Sequence, residues 1–314
     1  MKALVVTAFG GPAVLRLAEL PDPQAGPGQV RIAVHAAGTN PVDAGNRSDG
    51  TWAGLAPGCI LGYEVAGVVD QVGLGVREVR IGDRVMAMTS FPGGGGGYAE
   101  LAVVGADMVA PIAGECSFIQ AASVPLAGGT AYEILRRLQL PRGASVLVHG
   151  ASGGVGTFFV QLATSAGLRV IAVGGYRSHK LLTELGAWHC IDYRTTKVAP
   201  AALAAAGGPV DAIVDLFGGT VLRDSLSAVR SHGQLASIET PDLDLDPVID
   251  ANLTFHGILF QNDGPRIQAL AKQLGRTIHP VIAATFPLQR AAEAHQLLES
   301  QHSRGKIILV VRGT

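Results

Sequence analysis

Short apolar runs separated by glycine and proline dominate the first part of the chain. Runs that end in this way are typical of β-strands, because glycine and proline interrupt both strands and helices. Strands are expected at residues 2–7, 29–37, 64–72, 83–88 and 98–104. The first part of the chain is therefore predicted to be a β-rich domain.

Helix-length segments replace this pattern from about Ser117 onward. Two of them, at 119–127 and 129–137, precede an alternation of apolar strands with helical stretches. Strands are expected at 144–149, 169–173, 190–192, 210–215, 234–238 and 306–311, and helices at 154–166, 178–186, 199–208 and 288–299. This alternation is the pattern of βαβ units around a parallel sheet, so the second part is predicted to be an α/β domain.

Composition and charge exclude several classes of protein. Hydrophobic residues make up 48% of the 314 residues and charged residues 16%, so enough apolar surface is available to offset the entropy lost on ordering the chain. Lys and Arg number 24, Asp and Glu 25, and without a basic block nucleic acid is not an expected partner. No apolar run reaches the ~20 residues that span a bilayer, and the N-terminal run is too short for a signal peptide. A cytoplasmic protein without membrane association is expected.

The segment from Val148 to Gly156 places a cluster of glycines between a predicted strand and a predicted helix. The pyrophosphate of a dinucleotide binds backbone N–H groups at a helix N-terminus, and residues without a β-carbon let the backbone come close to it. Gly153 and Gly156 meet this need, whereas Ala151 stands where the first glycine of the G-x-G-x-x-G pattern usually does. The segment predicts a dinucleotide-binding turn.

The residues after the next predicted strand indicate which dinucleotide is bound. An NAD enzyme places Asp or Glu about 20 residues beyond the glycines, against the ribose 2′-hydroxyl. The stretch 174–180 has no carboxylate but contains Arg177 and Lys180. Both cations attract a 2′-phosphate, which a carboxylate would repel. NADPH is therefore expected over NADH; the alternative is that both are ordinary solvated side chains at the start of a helix.

Further segments form a recognisable set together with the glycine turn. They are 38–43 with Arg47, 58–67, 126–132, 211–215 with 217–219, and 304–309. With them, essentially the whole chain resembles the zinc-independent quinone oxidoreductase branch of the medium-chain dehydrogenase/reductase superfamily.

The resemblance implies an α/β fold in two domains, a GroES-like β-rich domain and a Rossmann domain with a doubly wound parallel sheet. The expected divisions are 1–118 for the first part of the GroES-like catalytic domain, 119–262 for the Rossmann NADPH-binding domain, and 263–314 for the return to the catalytic domain. The resemblance also implies a homodimer joined through the last strands of the Rossmann domain. The stretch 253–259 is the candidate edge, and a strand buried within one subunit is the alternative.

The resemblance also assigns residues to the cofactor and the substrate. Thr130 and Lys306 are expected at the nicotinamide end of NADPH, and Asn40 at the floor of the substrate site. Trp52 stands near the place of a tyrosine that such quinone reductases often carry, and is expected in the substrate pocket. The other expected cofactor contacts are Ser152, Gly153, Gly154, Val155, Gly156, Gly175, Arg177, Lys180, Tyr193, Phe217 and Ile238.

A bound metal is not expected. A catalytic zinc needs three nitrogen, sulfur or carboxylate ligands, but the positions that resemble the superfamily's Cys, His and Cys ligands hold Asn40, Tyr63 and Leu126. The three cysteines are dispersed, which argues against both a disulfide framework and a metal knuckle. Glu64 remains from the zinc-type pattern, and a purely structural role is its favoured interpretation.

Without a Lewis acid, the chemistry that remains feasible is reduction of an electron-poor acceptor such as a quinone or an enone. Such an acceptor takes hydride from NADPH when it is stacked on the nicotinamide. The expected hydrogen-bond donors to the developing oxyanion are the Asn40 amide, the Thr130 hydroxyl and the Tyr63 phenol; Asn40 before Pro41 is equally well explained as a turn opener. The predicted function is an NADPH-dependent quinone reductase, with a 2-alkenal or enone reductase and a non-catalytic NADPH-binding redox sensor as alternatives.

Overall fold

The computed structural model describes residues 1–112 and 114–312. Its strands are β1 (Lys2–Val6), β2 (Leu15–Glu19), β3 (Gln29–Gly38), β4 (Glu64–Val72), β5 (Arg84–Met88), β6 (Leu101–Gly105), β7 (Val109–Pro111), β8 (Ser145–His149), β9 (Arg169–Val173), β10 (His189–Ile191), β11 (Val210–Asp215), β12 (Val229–Ser237), β13 (Thr254–Gly257), β14 (Ile282–Pro287) and β15 (Lys306–Val310). Its α-helices are α1 (Pro41–Ser48), α2 (Phe118–Ala121), α3 (Pro125–Leu138), α4 (Gly154–Ser165), α5 (His179–Glu184), α6 (Val198–Ala206), α7 (Asp246–Asp250), α8 (Gly264–Gln273) and α9 (Ala291–Glu299). The chain divides into two compact units, Met1–Gly129 with Gln261–Thr314, and Thr130–Phe260.

A seven-stranded sheet forms the centre of the first unit, with β14, β15, β3, β4, β5 and β7 in that order and β6 also paired to β3. The β14–β15 pair is parallel and the other pairs are antiparallel. Alternate side chains of β3 and β4, such as Val34, Val65 and Val69, enter an aliphatic core with Leu309 of β15. The pairing of β15 with β3 brings the end of the chain back to the segment that precedes α1.

The second unit is built on a six-stranded parallel sheet with the order β10-β9-β8-β11-β12-β13. Renumbered from β8, this is the 3-2-1-4-5-6 order of a Rossmann fold. The strands are short runs of β-branched and aliphatic residues because helices cover both faces of such a sheet, and Leu147, Ile171, Ile213 and Leu235 lie fully buried in its core. The predicted α/β class, with a β-rich part and a Rossmann part, is confirmed.

Two details differ from the sequence-based expectations. The predicted helix 119–127 is interrupted, because α2 ends at Ala121 and α3 begins at Pro125, a residue that favours the first helical turn and lacks the N–H needed further inside a helix. The second unit begins at Thr130, later than the expected division after residue 118. The reason is that α2 packs on β3 and β4, and the Leu126 N–H donates a hydrogen bond to the Glu64 carboxylate.

Two further features concern the chain as a whole. Across the described ranges, every helix is too short or too polar to pass through a bilayer. Cys59, Cys116 and Cys190 are free and half-buried, and burial raises the pKa of each thiol.

Candidate functional sites in the two units

The glycine turn after β8 has the geometry of an anion-binding helix start. A β-carbon at position 156 would lie 2.4 Å from the Gly150 carbonyl oxygen, so only glycine fits there. The turn requires one residue with a left-handed backbone, and this residue is Gly150, with φ of +69°. Gly150 lies one residue before Ala151, which stands at the first glycine position of G-x-G-x-x-G. Ala151 is therefore tolerated, and the departure from G-x-G-x-x-G costs the turn no strain.

The predicted cofactor residues of the second unit gather at the carboxyl edge of its sheet. Ser152–Gly156 follow β8, Gly175, Arg177 and Lys180 follow β9, Tyr193 follows β10, Phe217 follows β11 and Ile238 follows β12. The strand order reverses between β8 and β11, and dinucleotides bind parallel sheets at such a reversal. The side chains of Tyr193 and Phe217 are more than half exposed there.

Arg194 joins this edge although the sequence reasoning passed over it. A β-carbon at Gly175 would lie 3.6 Å from the Arg194 guanidinium carbon. The Asp192 carboxylate fixes the loop, since it accepts hydrogen bonds from the Arg194 and Tyr176 N–H groups. A cation therefore lies against the place where an NAD enzyme carries its carboxylate. The sequence signal that could have identified Arg194 was its position directly after Tyr193, close to the end of a predicted strand.

Thr130 is buried in α3 at the beginning of the second unit. Lys306, its expected companion at the nicotinamide, lies in the first unit at the start of β15 and is 3% exposed. The Lys306 ammonium donates to the Thr39 carbonyl at 2.7 Å and to Asn40 Oδ1 at 2.5 Å, and lies 2.6 Å from Glu64 Oε1. These three oxygens match the three N–H donors of an ammonium group.

Asn40, Glu64 and Lys306 form a buried cluster in the first unit. Besides its contact with Lys306, Glu64 Oε1 accepts from Asn40 Nδ2 at 2.9 Å, and Oε2 accepts from the Leu126 N–H at 2.8 Å. Asn40 also precedes α1, as a turn opener would. Its backbone thus begins a helix, as the turn interpretation expects, while its side chain enters the cluster; its role as a donor to an oxyanion stays a prediction.

The two neighbours of the Asn40 amide fix its orientation. An ammonium group only donates and an ionised carboxylate only accepts, so Oδ1 must face Lys306 and Nδ2 must face Glu64. One N–H of Nδ2 serves Glu64. The hydrogen bonds observed in 1–112 and 114–312 leave the second N–H available to an acceptor.

A buried carboxyl group lies directly beneath this cluster. Asp43, at 0% exposure, accepts hydrogen bonds from the Asn40 and Gly62 N–H groups at 2.8 and 2.9 Å. Burial raises its pKa to about 7, against the lowering effect of these two bonds and of Lys306. Asp43 thus ties the start of α1 to the segment before β4, and positions Asn40.

Tyr63 and Trp52 are joined by a residue that the sequence reasoning missed. Asn46 Nδ2 donates to the Tyr63 hydroxyl at 2.5 Å, and Asn46 Oδ1 accepts from Trp52 Nε1 at 2.7 Å. The Phe91 ring packs edge-on against Tyr63 at 5.1 Å and against Trp52 at 6.5 Å. Tyr63 is fully buried, whereas Trp52 is 56% exposed.

The residues of the first unit do not fit a zinc ion. The Lys306 ammonium already contacts Asn40 Oδ1 and Glu64 Oε1. A second cation bound to the same oxygens would be repelled by it. The amide, phenol and aliphatic side chains of Asn40, Tyr63 and Leu126 do not form a zinc donor set. Of the residues that the structure describes, no group of three His, Cys, Asp or Glu is arranged to hold a metal. Zinc independence itself remains a prediction.

Comparison with known proteins defines the class of both units. Residues 26–114 match the family described as "Alcohol dehydrogenase GroES-like domain", and residues 185–309 match the family described as "Zinc-binding dehydrogenase". The fold is thus that of an alcohol-dehydrogenase-type oxidoreductase with a GroES-like unit and a Rossmann unit.

More specific relatives extend over the whole chain. The quinone oxidoreductase of Rattus norvegicus is 33% identical over 99% of this chain and 98% of its own length. The quinone oxidoreductase structure from Coxiella burnetii is 34% identical, with a TM-score of 0.91 and 99% of both chains covered. The Escherichia coli quinone oxidoreductase, solved in complex with NADPH, is 26% identical, with a TM-score of 0.90 over 99% of this chain and 100% of its own. The chain belongs to the quinone oxidoreductase branch of the medium-chain dehydrogenase/reductase superfamily.

Proposed function

We propose that this protein uses NADPH to reduce quinones or related electron-poor carbonyl compounds without zinc. The observation that carries the proposal is the Asn40 amide, held between Lys306 and Glu64 with one N–H left for an acceptor. A hydrogen-bond donor held in advance stabilises negative charge on a carbonyl oxygen without reorganising during the reaction. It takes the place of the metal that other dehydrogenases of this fold use for the same purpose.

The second unit supplies the residues that would hold the cofactor. The backbone of Ser152–Gly156 would take the pyrophosphate at the N-terminus of α4, and Arg177, Lys180 and Arg194 would take the 2′-phosphate. When bound, NADPH supplies a hydride. The remaining expected contacts belong to the same proposal: Thr130, Gly175, Tyr193, Phe217 and Ile238 of the second unit, and Lys306 of the first.

The chain's own residues then have defined tasks. Addition of hydride to a quinone places negative charge on its carbonyl oxygen, which the free N–H of Asn40 stabilises. Asp43 and Lys306 hold Asn40 in place through its backbone and its side chain. Removal of one such donor typically costs about 10²–10³ in kcat, so Asn40→Leu is expected to lower kcat by about that factor.

Steady-state turnover tests the proposal. Metal-free protein is mixed with benzoquinone, phenanthrenequinone, a 2-alkenal or a simple ketone, and oxidation of NADPH and of NADH is followed by absorbance. We expect quinone-dependent oxidation that prefers NADPH and does not respond to chelator. Fast turnover with the alkenal alone would favour an enone reductase, and tight NADPH binding without turnover would favour a redox sensor.

Cofactor preference has its own test. Arg177→Ala and Arg194→Ala should each raise the KM for NADPH by about 10-fold, because a hydrogen bond to a charged group contributes about 1.5–3 kcal/mol, and leave the KM for NADH unchanged. Equal changes for both cofactors would refute the assignment to the 2′-phosphate.

A homodimer is also proposed, formed at β13. Among the described residues, this strand pairs with β12 alone, at the end of the six-stranded sheet, and Phe255 and Leu259 are 39% and 59% exposed. Unpaired strand edges with apolar side chains readily join a second copy. Light scattering after size exclusion should give twice the chain mass, and Phe255→Lys should shift it toward the monomer; a wild-type monomer would remove the proposal.

A further inference from the structure

Asn46 lies between an exposed indole and a buried phenol, and its amide can be oriented in only one way. The indole Nε1 of Trp52 is a donor without acceptor capacity, so the oxygen of the Asn46 amide must face it, at 2.7 Å. The amide nitrogen must then face Tyr63, at 2.5 Å. The Tyr63 oxygen accepts this hydrogen bond.

A phenol that accepts from one side keeps its own proton for another partner. Among the hydrogen bonds of the described residues, none takes the Tyr63 proton. Burial raises the pKa of Tyr63, and the Asp43 carboxylate raises it further, so the hydroxyl stays protonated. Tyr63 is 0% exposed and the Phe91 ring packs edge-on against it, so an acceptor can reach the hydroxyl only when neighbouring side chains move; Phe91 is followed, after Pro92, by five consecutive glycines.

We propose that Asn46 is a positioning residue for the proton of the Tyr63 hydroxyl. The Trp52 indole fixes the orientation of the Asn46 amide, and the amide donates to the Tyr63 oxygen. The Tyr63 hydroxyl is then a donor to the carbonyl oxygen of the quinone. The proposal rests on the proposed function and adds to it a second donor beside Asn40. It also gives Trp52 a task other than filling space: its N–H determines which end of Asn46 faces Tyr63.

A double-mutant cycle separates this role from packing. Tyr63→Phe removes the donor and should lower kcat for quinone by about 10²-fold. Trp52→Phe keeps an aromatic ring but frees the Asn46 amide to turn over, and should lower kcat by about 10-fold with the KM for NADPH unchanged. In the Tyr63→Phe background, Trp52→Phe should have no further effect on kcat. An equal loss in both backgrounds would overturn the proposal, since Trp52 would then act by packing alone.

Asn46→Asp gives a signature that a structural role would not produce. When the introduced carboxyl group is ionised it only accepts, so the Tyr63 proton turns toward it and is lost to the substrate. When that carboxyl group is protonated it donates again and restores the wild-type arrangement. The kcat of Asn46→Asp should therefore rise as pH falls, relative to wild type, and this rise should vanish when Tyr63→Phe is added.

The groups that face Tyr63 and could also titrate are Asp43 of α1 and Cys59 before β4. They are present in wild type and variant alike, so the ratio of the two pH profiles cancels their effect. A pH-independent ratio, or the same rise with Tyr63→Phe present, would refute the proposal. Because Trp52 is largely exposed, the Trp52→Phe cycle remains decisive if Asn46→Asp fails to fold.

Failure of the proposed function gives a different result. If wild type fails to oxidise NADPH with every quinone tested, the reductase assignment is wrong. The same double-mutant cycle is then measured by calorimetric titration, with the dissociation constant of a naphthoquinone in place of kcat. Non-additive constants would support the Trp52–Asn46–Tyr63 relation on its own, and additive ones or an absence of binding would overturn it.

Discussion

The candidate sites of the two units differ in how their charged side chains are paired. In the first unit, Glu64 and Lys306 have side chains only 0% and 2% exposed and bind each other at 2.6 Å. In the second, the Lys180 and Glu184 side chains are 89% and 61% exposed, with 3.8 Å between them. Buried pairs are fixed whether or not a ligand is present, whereas exposed cations exchange water for a phosphate at little cost. In the proposed function, the first unit thus holds a prepared donor, and the second an adaptable anion site.

The substitution with the largest expected effect breaks the buried ion pair of Glu64 and Lys306. Lys306→Met leaves the Glu64 carboxylate buried without a cation and Asn40 Oδ1 without its donor. Loss of one partner of a buried ion pair costs about 3–5 kcal/mol. Denaturant unfolding should show a loss of this size in the free energy of unfolding, with kcat reduced as the amide loses its orientation.

The matched double variant separates stability from orientation. Glu64→Gln combined with Lys306→Met removes both charges and should recover much of the stability lost in Lys306→Met. Its kcat should stay low, because nothing then directs the Asn40 amide. Additive destabilisation by the two substitutions would contradict the paired cluster.

The next effect concerns acid stability. Burial lowers the pKa of His149 in the second unit and of His295 in the first from 6.5 to about 4. Below 6.5 the unfolded state binds protons that the folded histidines do not, so stability is present above pH 6.5 and is lost as pH falls toward 4. A depression of this size corresponds to about 3 kcal/mol for each histidine.

Through Asp43, the stability of the first unit also depends on pH in the opposite direction. Its pKa rises from 3.8 to about 7, so its contribution is present at low pH and is lost as pH rises through 7. Between about pH 4 and 6.5, His149→Gln should therefore weaken the rise of stability with pH measured by denaturant unfolding, and Asp43→Asn should steepen that rise. A profile unchanged by His149→Gln would show that this imidazole is not held neutral.

Sequence reasoning succeeded where one stretch of chain determines the structure. The bounds of β4, β9 and β11 agree with the prediction residue for residue, because each is an apolar run between residues that end strands. The edge strands β2 and β14 were missed, since only one residue of β2 is buried and the side chains of β14 alternate between partial and full exposure, so both carry a weak apolar signal.

Within the sites, the same rule holds. The geometry of the glycine turn was predictable, because glycine encodes backbone geometry locally. The roles of Lys306 and Asn46 were not, because their partners lie 266 and 17 residues away in the sequence. Side-chain hydrogen bonds over such separations leave no periodic pattern in the chain.

A smaller effect tests the backbone part of the second unit. Gly156→Ala would put its β-carbon 2.4 Å from the Gly150 oxygen, whereas Gly153→Ala would put its own at 3.3 Å from the same atom. The first change must displace the start of α4, and we expect at least a 10-fold loss in NADPH affinity, or about 1.4 kcal/mol. Gly153→Ala is the matched control with a smaller loss by fluorescence titration. Equal losses would mean that the close approach at Gly156 does not shape the anion site.

The smallest expected effect sharpens the contrast between the two units. Lys180→Ala removes an exposed cation whose pair with Glu184 is long, so the free energy of unfolding should change by no more than about 0.5 kcal/mol. The same variant should raise the KM for NADPH several-fold at low salt, with the KM for NADH unchanged, and the difference should shrink at high salt as screening increases. Glu184→Ala, which keeps the cation, is the control. A loss of stability comparable to that of Lys306→Met would show that the second unit also relies on its charges for folding, and the distinction between a prepared and an adaptable site would fail.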